Sequence, residues 1–181
     1  MTYSGYVLAG GRSSRMGRDK ARLQFHGADL VSTVAAAVVT AAGAVTLVGH
    51  PELPSIPDRY PGDGPLGGIL TALHHTAAEW NLIVACDMPE VSAAFLASLL
   101  ARAIRSRPDV LLPYGPDALP QPLCAVYRRR ARTTLEDHFA RGVRRVTQAF
   151  AGLDVEPLIV AELSHFQNVN TPEDWVPYAA K

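Results

Sequence analysis

The chain has 181 residues, 48% hydrophobic and 19% charged, enough apolar side chains for a buried core, which excludes a globally disordered protein. Lys plus Arg and Asp plus Glu each number 17, giving a formal net charge of zero. A general nucleic-acid binder carries a basic excess, so that class is excluded and any anion site has to be local.

In chain order, Gly5-Tyr6-Val7-Leu8-Ala9 is a short apolar run ended by glycine and predicts a buried strand. It is too short for a signal-peptide core, and Gly10-Gly11 breaks it. No apolar run approaches the roughly 20 residues of a membrane helix. A soluble, cytoplasmic protein with no membrane partner is therefore expected. Leu30 to Ala42 predicts a helix, with Val31, Val34, Val38 and Ala42 on one face. Ala44 to Val48 predicts a strand stopped by Gly49, and Pro65 to Ala78 a second helix carrying Leu66, Ile69, Leu70 and Leu73. Asn81 to Cys86 is a strongly apolar strand. Ser92 caps a helix running to Arg105, with Phe95, Leu96, Leu99, Leu100 and Ile104 inward. Asp109 to Pro113 and Pro122 to Tyr127 read as strands, Arg128 to Arg141 as a basic helix, Leu153 to Val160 as a strand and Pro172 to Tyr178 as a short last helix.

Strands alternating with helices, in continuous apolar runs, imply an α/β domain with a parallel sheet covered on both faces. No repeat or long linker divides the chain, so one domain spanning residues 1–181 is expected. Cys86 and Cys124 match neither a zinc spacing nor a Cys-x-x-Cys motif. Both lie in apolar runs and read as buried, reduced thiols.

Four polar stretches interrupt this rhythm. LAGGRSSRMGRDK (8–20) follows the first strand. Gly10 and Gly11 let backbone N–H groups approach a ligand, and Arg15 and Lys20 add charge, a combination suited to a polyphosphate. It is neither a Walker loop nor a G-x-G-x-x-G dinucleotide loop. The bland reading is a strand–helix turn with solvated arginines. In Val84-Ala85-Cys86-Asp87-Met88-Pro89 a strand ends on an acid, at the sheet edge where α/β proteins bind ligands. Asp87 is either one carboxylate of a Mg²⁺ shared with phosphates or a loop cap. Pro61-Gly62-Asp63-Gly64-Pro65-Leu66-Gly67-Gly68 either wraps a base or ribose or is a tight surface turn, and Asp58 upstream is a ribose or metal contact or a solvated acid. In Asn168-Val169-Asn170-Thr171-Pro172-Glu173-Asp174, a helix start explains Thr171, Pro172 and Asp174 and leaves Asn168 and Asn170 for a ligand. Adjacent His74 and His75 cannot share a helical face. Arg128-Arg129-Arg130 is a solvated helix start or a contact for an anionic substrate.

Taken together, LAGGRSSRMGRDK, Pro61 to Leu73, Ala85 to Pro89, Gln121 to Tyr127 and Phe166 to Asp174 resemble, in the same order, the motifs of the MobA-like nucleotidyltransferases, which make molybdenum-cofactor dinucleotides. The resemblance implies a Rossmann-like three-layer nucleotidyltransferase fold with a mostly parallel central sheet. It implies transfer of GMP from GTP to the phosphate of the molybdenum-bound pterin, molybdopterin, with release of pyrophosphate. By the same resemblance Leu8, Ala9, Gly10 and Gly11 belong to the nucleotide loop, the first three at guanine and ribose. Arg15 and Lys20 hold phosphates, Asp58 lies near the nucleoside and Asp87 binds Mg²⁺. Arg15, Lys20 and Asp87 form the catalytic set, and Asn168 and Asn170 lie on the pterin side. GTP and molybdopterin are the implied partners, with proteins that deliver the pterin and accept the product. An acceptor phosphate is already ionised at neutral pH, so no general base is needed, in keeping with the lack of a nucleophile triad.

One departure stands out. The family often carries asparagine at the end of the second strand, where this chain has Leu47-Val48-Gly49-His50. Two alternatives share the motifs: a cytidylyltransferase acting on molybdopterin or on a sugar or polyol phosphate, and a non-catalytic GTP-binding adaptor. Cytidine-specific relatives tend to carry Ala-Gly where this chain has Gly10-Gly11, which favours a purine, and the presence of both Lys20 and Asp87 favours an enzyme.

Overall fold

Side chains alternate along the first strand, β1 (Tyr3–Leu8): Tyr6 and Leu8 enter one buried cluster, Val7 and the following Ala9 another. That period of two is the origin of a three-layer arrangement, because each face of the sheet needs its own helices. A computed structural model describes residues 2–10, 24–25, 28–50, 52–162, 164–169 and 174–176. After β1 come a small hairpin of β2 (Gln24–Phe25) and β3 (Ala28–Asp29), then α1 (Leu30–Ala42), β4 (Val45–Val48), α2 (Pro65–His75), β5 (Trp80–Ala85) and α3 (Ala93–Ser106). β6 (Val110–Tyr114), β7 (Cys124–Arg128), α4 (Ala131–Ala140) and β8 (Val155–Ile159) complete the order, with 3₁₀ turns at Val146–Phe150 and Ser164–Phe166.

The central sheet has six strands in the order β4-β1-β5-β7-β6-β8. β4, β1 and β5 are parallel neighbours, and β8 runs parallel to β6. β7 runs antiparallel to both β5 and β6. The expected mostly parallel sheet is present, and β7 is the exception. Its apolar run reads like its neighbours' because burial on both faces, not direction, sets the composition.

α1 and α3 cover one face, around Val7, Val34, Val38, Leu82, Val84, Leu96 and Leu99. α2 and α4 cover the other, around Tyr6, Leu8, Leu66, Leu70, Ile83 and Leu135. Each such Val or Leu contributes about 1.5–3 kcal/mol on burial. α1 starts where the Asp29 carboxylate accepts the Ser32 N–H at 2.7 Å, and stops at Gly43 with φ of 72°. Ser92 caps α3 as expected, accepting the Phe95 N–H at 3.2 Å. On α3 it is Leu96, Leu99, Leu100 and Ala103 that are buried, with Phe95 and Ile104 packed at the margin.

Three expectations are corrected. α2 ends at His75 rather than Ala78, because Thr76 is extended and its hydroxyl accepts the Ala78 N–H. The basic helix begins at Ala131; Arg128 is still strand, paired with Trp80. Of the two thiols, Cys124 is buried and pushed up to about 12 by burial, whereas Cys86 is only partly covered. Among the described residues no helix is long and apolar enough to cross a membrane.

Gly5 shows how closely α1 approaches β1. A Cβ there would collide with Val38 Cγ1 and lie 2.7 Å from the Ala44 carbonyl oxygen. Replacing Gly5 by Ala is expected to lower stability by about 1–3 kcal/mol through overpacking. Urea unfolding measures this, and an unshifted midpoint would show that α1 can retreat at no cost.

Candidate functional site

Because β4, β1 and β5 are parallel neighbours, their carboxyl ends lie side by side and so do the segments that follow them: Gly49-His50, Ala9-Gly10 and Cys86-Asp87. Backbone hydrogen bonds extend the alignment past the strands. The Val48 carbonyl accepts from both Ala9 N and Gly10 N at 3.0 Å, and the Leu8 carbonyl accepts Cys86 N at 3.1 Å. Gly10 is exposed between the two flanking segments. A Cβ on Gly10 would sit 2.9 Å from the Gly49 carbonyl oxygen, and one on Gly49 would sit 3.3 Å from Gly10 Cα. Gly49 also has φ of +78°, so two glycines permit this contact. The side chains of Leu8 and Ala9 point into opposite layers, so it is main chain, continuing into exposed Gly10, that faces out at this edge.

His50 stands near the family's asparagine position. It is buried, and its Nδ1 accepts the N–H groups of Glu52 at 3.1 Å and Leu53 at 3.0 Å. Its carbonyl accepts the Ser55 hydroxyl at 2.7 Å. A ring nitrogen thus does the loop-capping work that an asparagine oxygen does elsewhere.

The first turn of α2 adjoins the same edge. Gly68 lies against Leu8, where a Cβ would be 3.2 Å from Leu8 Cδ1, and Gly67 lies against Tyr60. α2 opens on Gly64 with Pro65 at its start, has no side-chain cap and no acid in its first turn. Pro65 carries no N–H and the Gly67 N–H turns back to the Gly64 carbonyl at 3.1 Å, so what this start directs out of the helix is the positive end of its dipole. Asp58 is anchored here: its Oδ1 accepts Tyr60 N at 2.9 Å and lies 2.9 Å from the Thr71 hydroxyl. Its Cβ borders Gly49. Asp58 is therefore a fixed, half-buried carboxylate beside Gly49 and Gly10, not a solvated loop acid.

Asp87 lies two residues past the end of β5, half-buried, and its carbonyl accepts Val169 N at 2.9 Å. That bond brings exposed Asn168 to Asp87. The segment is held by α3: His165 stacks on Phe95 with centroids 4.3 Å apart, and Phe166 meets Phe95 edge-on at 5.6 Å. This aromatic shelf escaped sequence reasoning, although Phe95 at the first turn of a helix was its visible half. The motif from Gln121 also arrives at this edge, since the Leu123 carbonyl accepts Ala85 N at 2.7 Å.

The structure thus brings together Leu8, Ala9, Gly10, Asp58, Asp87 and Asn168. Gly11, Arg15, Lys20 and Asn170 lie outside the described residues, as do Thr171, Pro172 and Glu173. The arginine run is elsewhere. Arg128 pairs with Trp80 at the start of β5, at the opposite edge of the sheet, and donates to Glu79 at 2.7 Å. Arg130 pairs with Asp109, and Arg129, Arg130 and Arg132 border an open cavity of about 310 Å³. His74 contacts Glu136 and His75 lies 3.2 Å from the Tyr6 hydroxyl, so the two rings diverge as expected.

Among the described residues no group of three or more His, Cys, Asp or Glu forms a metal cage. A half-buried Asp87 beside exposed backbone fits a hard cation that takes one or two carboxylates and fills its shell with phosphate and water. It does not fit a resident tetrahedral metal, which needs several protein donors.

The anchoring of Asp58 can be tested apart from any ligand. The Thr71 hydroxyl accepts Arg59 N at 3.0 Å as well as facing Asp58. Thr71→Val is expected to cost about 1–3 kcal/mol in urea unfolding, with Thr71→Ser close to wild type. Equal stability of the Val variant would show that water replaces the network.

Comparison with known proteins agrees with this architecture. The profile of the MobA-like NTP transferase domain matches residues 5–155. A probable molybdenum cofactor guanylyltransferase of Chloroflexus aggregans is 34% identical over 96% of this chain and 92% of its own. Its counterpart from Bacillus cereus is 30% identical over 96% of this chain and 94% of its own. The crystal structure of molybdopterin-guanine dinucleotide biosynthesis protein A from Archaeoglobus fulgidus superimposes with a TM-score of 0.82 at 27% identity, covering 98% of this chain and 97% of that one. With a matching profile over most of its length and the nucleotidyltransferase sheet beneath it, the chain belongs to the MobA-like NTP transferase family of nucleotidyltransferases.

Proposed function

We propose that this protein, as a single domain over residues 1–181 and in the cytoplasm, transfers GMP from GTP to the phosphate of the molybdenum-bound pterin. The observation that carries the reading is the meeting of Gly10, Asp58 and Asp87 at one sheet edge, beside the uncapped start of α2. The names of the relatives at about 30% identity support guanylyl transfer in particular.

In this reading an oxygen of the pterin phosphate forms a bond to the α-phosphorus of GTP as the bond to the β-phosphate oxygen breaks. Pyrophosphate leaves with the electron pair. No proton has to be removed from the attacking group. The chain's contribution is to hold two anions in line and neutralise their charge. Gly10, whose own N–H is taken by the Val48 carbonyl, lets bare main chain approach the nucleotide, Gly11 gives it a backbone N–H, and Leu8 and Ala9 line it with main chain. Asp58 is fixed at the nucleoside end, and Arg15 and Lys20 hold the phosphates. Asn168, tethered through Val169 to Asp87, and Asn170 face the pterin. Asp87 is the residue that would hold Mg²⁺, which supplies charge neutralisation between the phosphates when bound. His50 is committed to its own loop through Glu52 N and Leu53 N, so guanine is read at this edge by main chain and Asp58.

Calorimetric titration of GTP, CTP and ATP, each with and without Mg²⁺, tests the reading. Selective GTP binding strengthened by Mg²⁺ is expected. Preference for CTP would replace guanylyl by cytidylyl transfer, and GTP binding without pterin-dependent pyrophosphate release would leave an adaptor. Asp87→Ala is expected to lower Mg²⁺-dependent turnover by about 100-fold or more. Full turnover in that variant would remove Asp87 from the metal role.

A further inference from the structure

We infer that Arg144 is a positioning residue for the Gly62-Asp63-Gly64 loop that precedes α2. The inference rests on the nucleotide reading of that loop. The loop has little of its own to hold its shape. Gly62 and Gly64 have φ of +90° and +79°, and no atom lies within 4 Å of a Cβ built on either. One turn hydrogen bond, Asp63 N to the Tyr60 carbonyl at 3.1 Å, closes it from within.

Its outside anchor comes from the other half of the chain. Arg144 Nε donates to Asp63 Oδ1 at 2.8 Å across 81 residues. The guanidinium is itself fixed. Its Nη1 donates to the Phe139 carbonyl at 2.8 Å and the Val143 carbonyl at 3.2 Å, and its carbon lies 4.0 Å from the Phe139 ring centroid. Phe139 in turn lies 4.7 Å from Tyr60, the residue that closes the loop. Ordinarily an ion pair with side chains 44% and 41% exposed contributes little. Here the cation is held at the carboxyl end of α4, where carbonyls and the helix dipole favour it. A guanidinium already oriented loses less freedom on forming each bond. The pair therefore acts on the shape of a glycine-rich loop more than on global stability. Through Gly64 it sets how the positive end of α2 faces the nucleotide.

A ligand that needs one loop shape binds with an affinity scaled down by the fraction of molecules that already have it. Arg144→Ala is therefore expected to weaken GTP binding by about tenfold in calorimetry while the urea midpoint stays in place. Asp63→Ala should do the same, and the double variant should be no worse than either single one, because both remove one contact. Unchanged affinity in Arg144→Ala, additive losses in the double variant, or a shifted midpoint with unchanged affinity would each overturn the assignment. If the wild-type protein fails to bind GTP, the nucleotide reading falls on its own account. Amide hydrogen exchange at residues 62–64 then decides this inference: faster exchange in Arg144→Ala supports positioning, and equal exchange overturns it.

Discussion

The Val48 carbonyl accepts two N–H groups, from Ala9 and Gly10, and the site depends on that shared acceptor. It locks the end of β1 against the end of β4 with the chain already leaving the sheet. Any Cβ at Gly10 would press on the backbone of Gly49, so the approach requires glycine at the first position, while the positive φ favours it at the second. With those two backbones fixed, Asp58 has a wall to stand against and Asp87 a defined distance along the same edge. The parallel order β4-β1-β5 is what makes a local contact into a site, because it delivers three strand ends to one place.

Much of the fold was legible because local rules and packing agree. α1 matches its expected span because Asp29 caps it, Gly43 ends it and four residues at helical spacing face the sheet. α2 overran by three residues because Ala77 and Ala78 carry no stop signal, and the stop is a Thr76 hydroxyl turned back on the chain. The direction of β7 left no trace, since a strand buried on both faces has the same composition either way. The start of α4 was misplaced for a related reason: Arg128 belongs to a strand because Glu79 and Trp80 across the sheet receive it, and those partners are distant in sequence.

The site divides along the same line. Glycines, the acid after β5 and the polar run that begins at Asn168 stand out as departures from an apolar rhythm. Asp58 is a candidate with two readings in the sequence, because nothing near it distinguishes a fixed carboxylate from a solvated one; Thr71 on the following helix makes the difference. His50 looked like a loss at the asparagine position. Structurally His50 caps its own loop, with two N–H groups on one ring nitrogen.

Both ends of the edge are held by the second half of the chain. On the Asp87 side, the Ser164–Phe166 turn docks on Phe95 of α3 and hands Val169 to the Asp87 carbonyl. On the α2 side, α4 supplies Phe139 against Tyr60 and Glu136 against His74, while Arg144 beyond it reaches Asp63. The glycine-rich segments therefore need not carry their own rigidity. Loops made open enough for backbone to touch a ligand lose the side chains that would have shaped them, and ordering such loops costs entropy. Here the shaping contacts lie one layer back, on helices whose burial is already secured by the core. That division of labour explains why the motifs nearest the proposed nucleotide are rich in glycine while the residues that hold them are aromatic and charged.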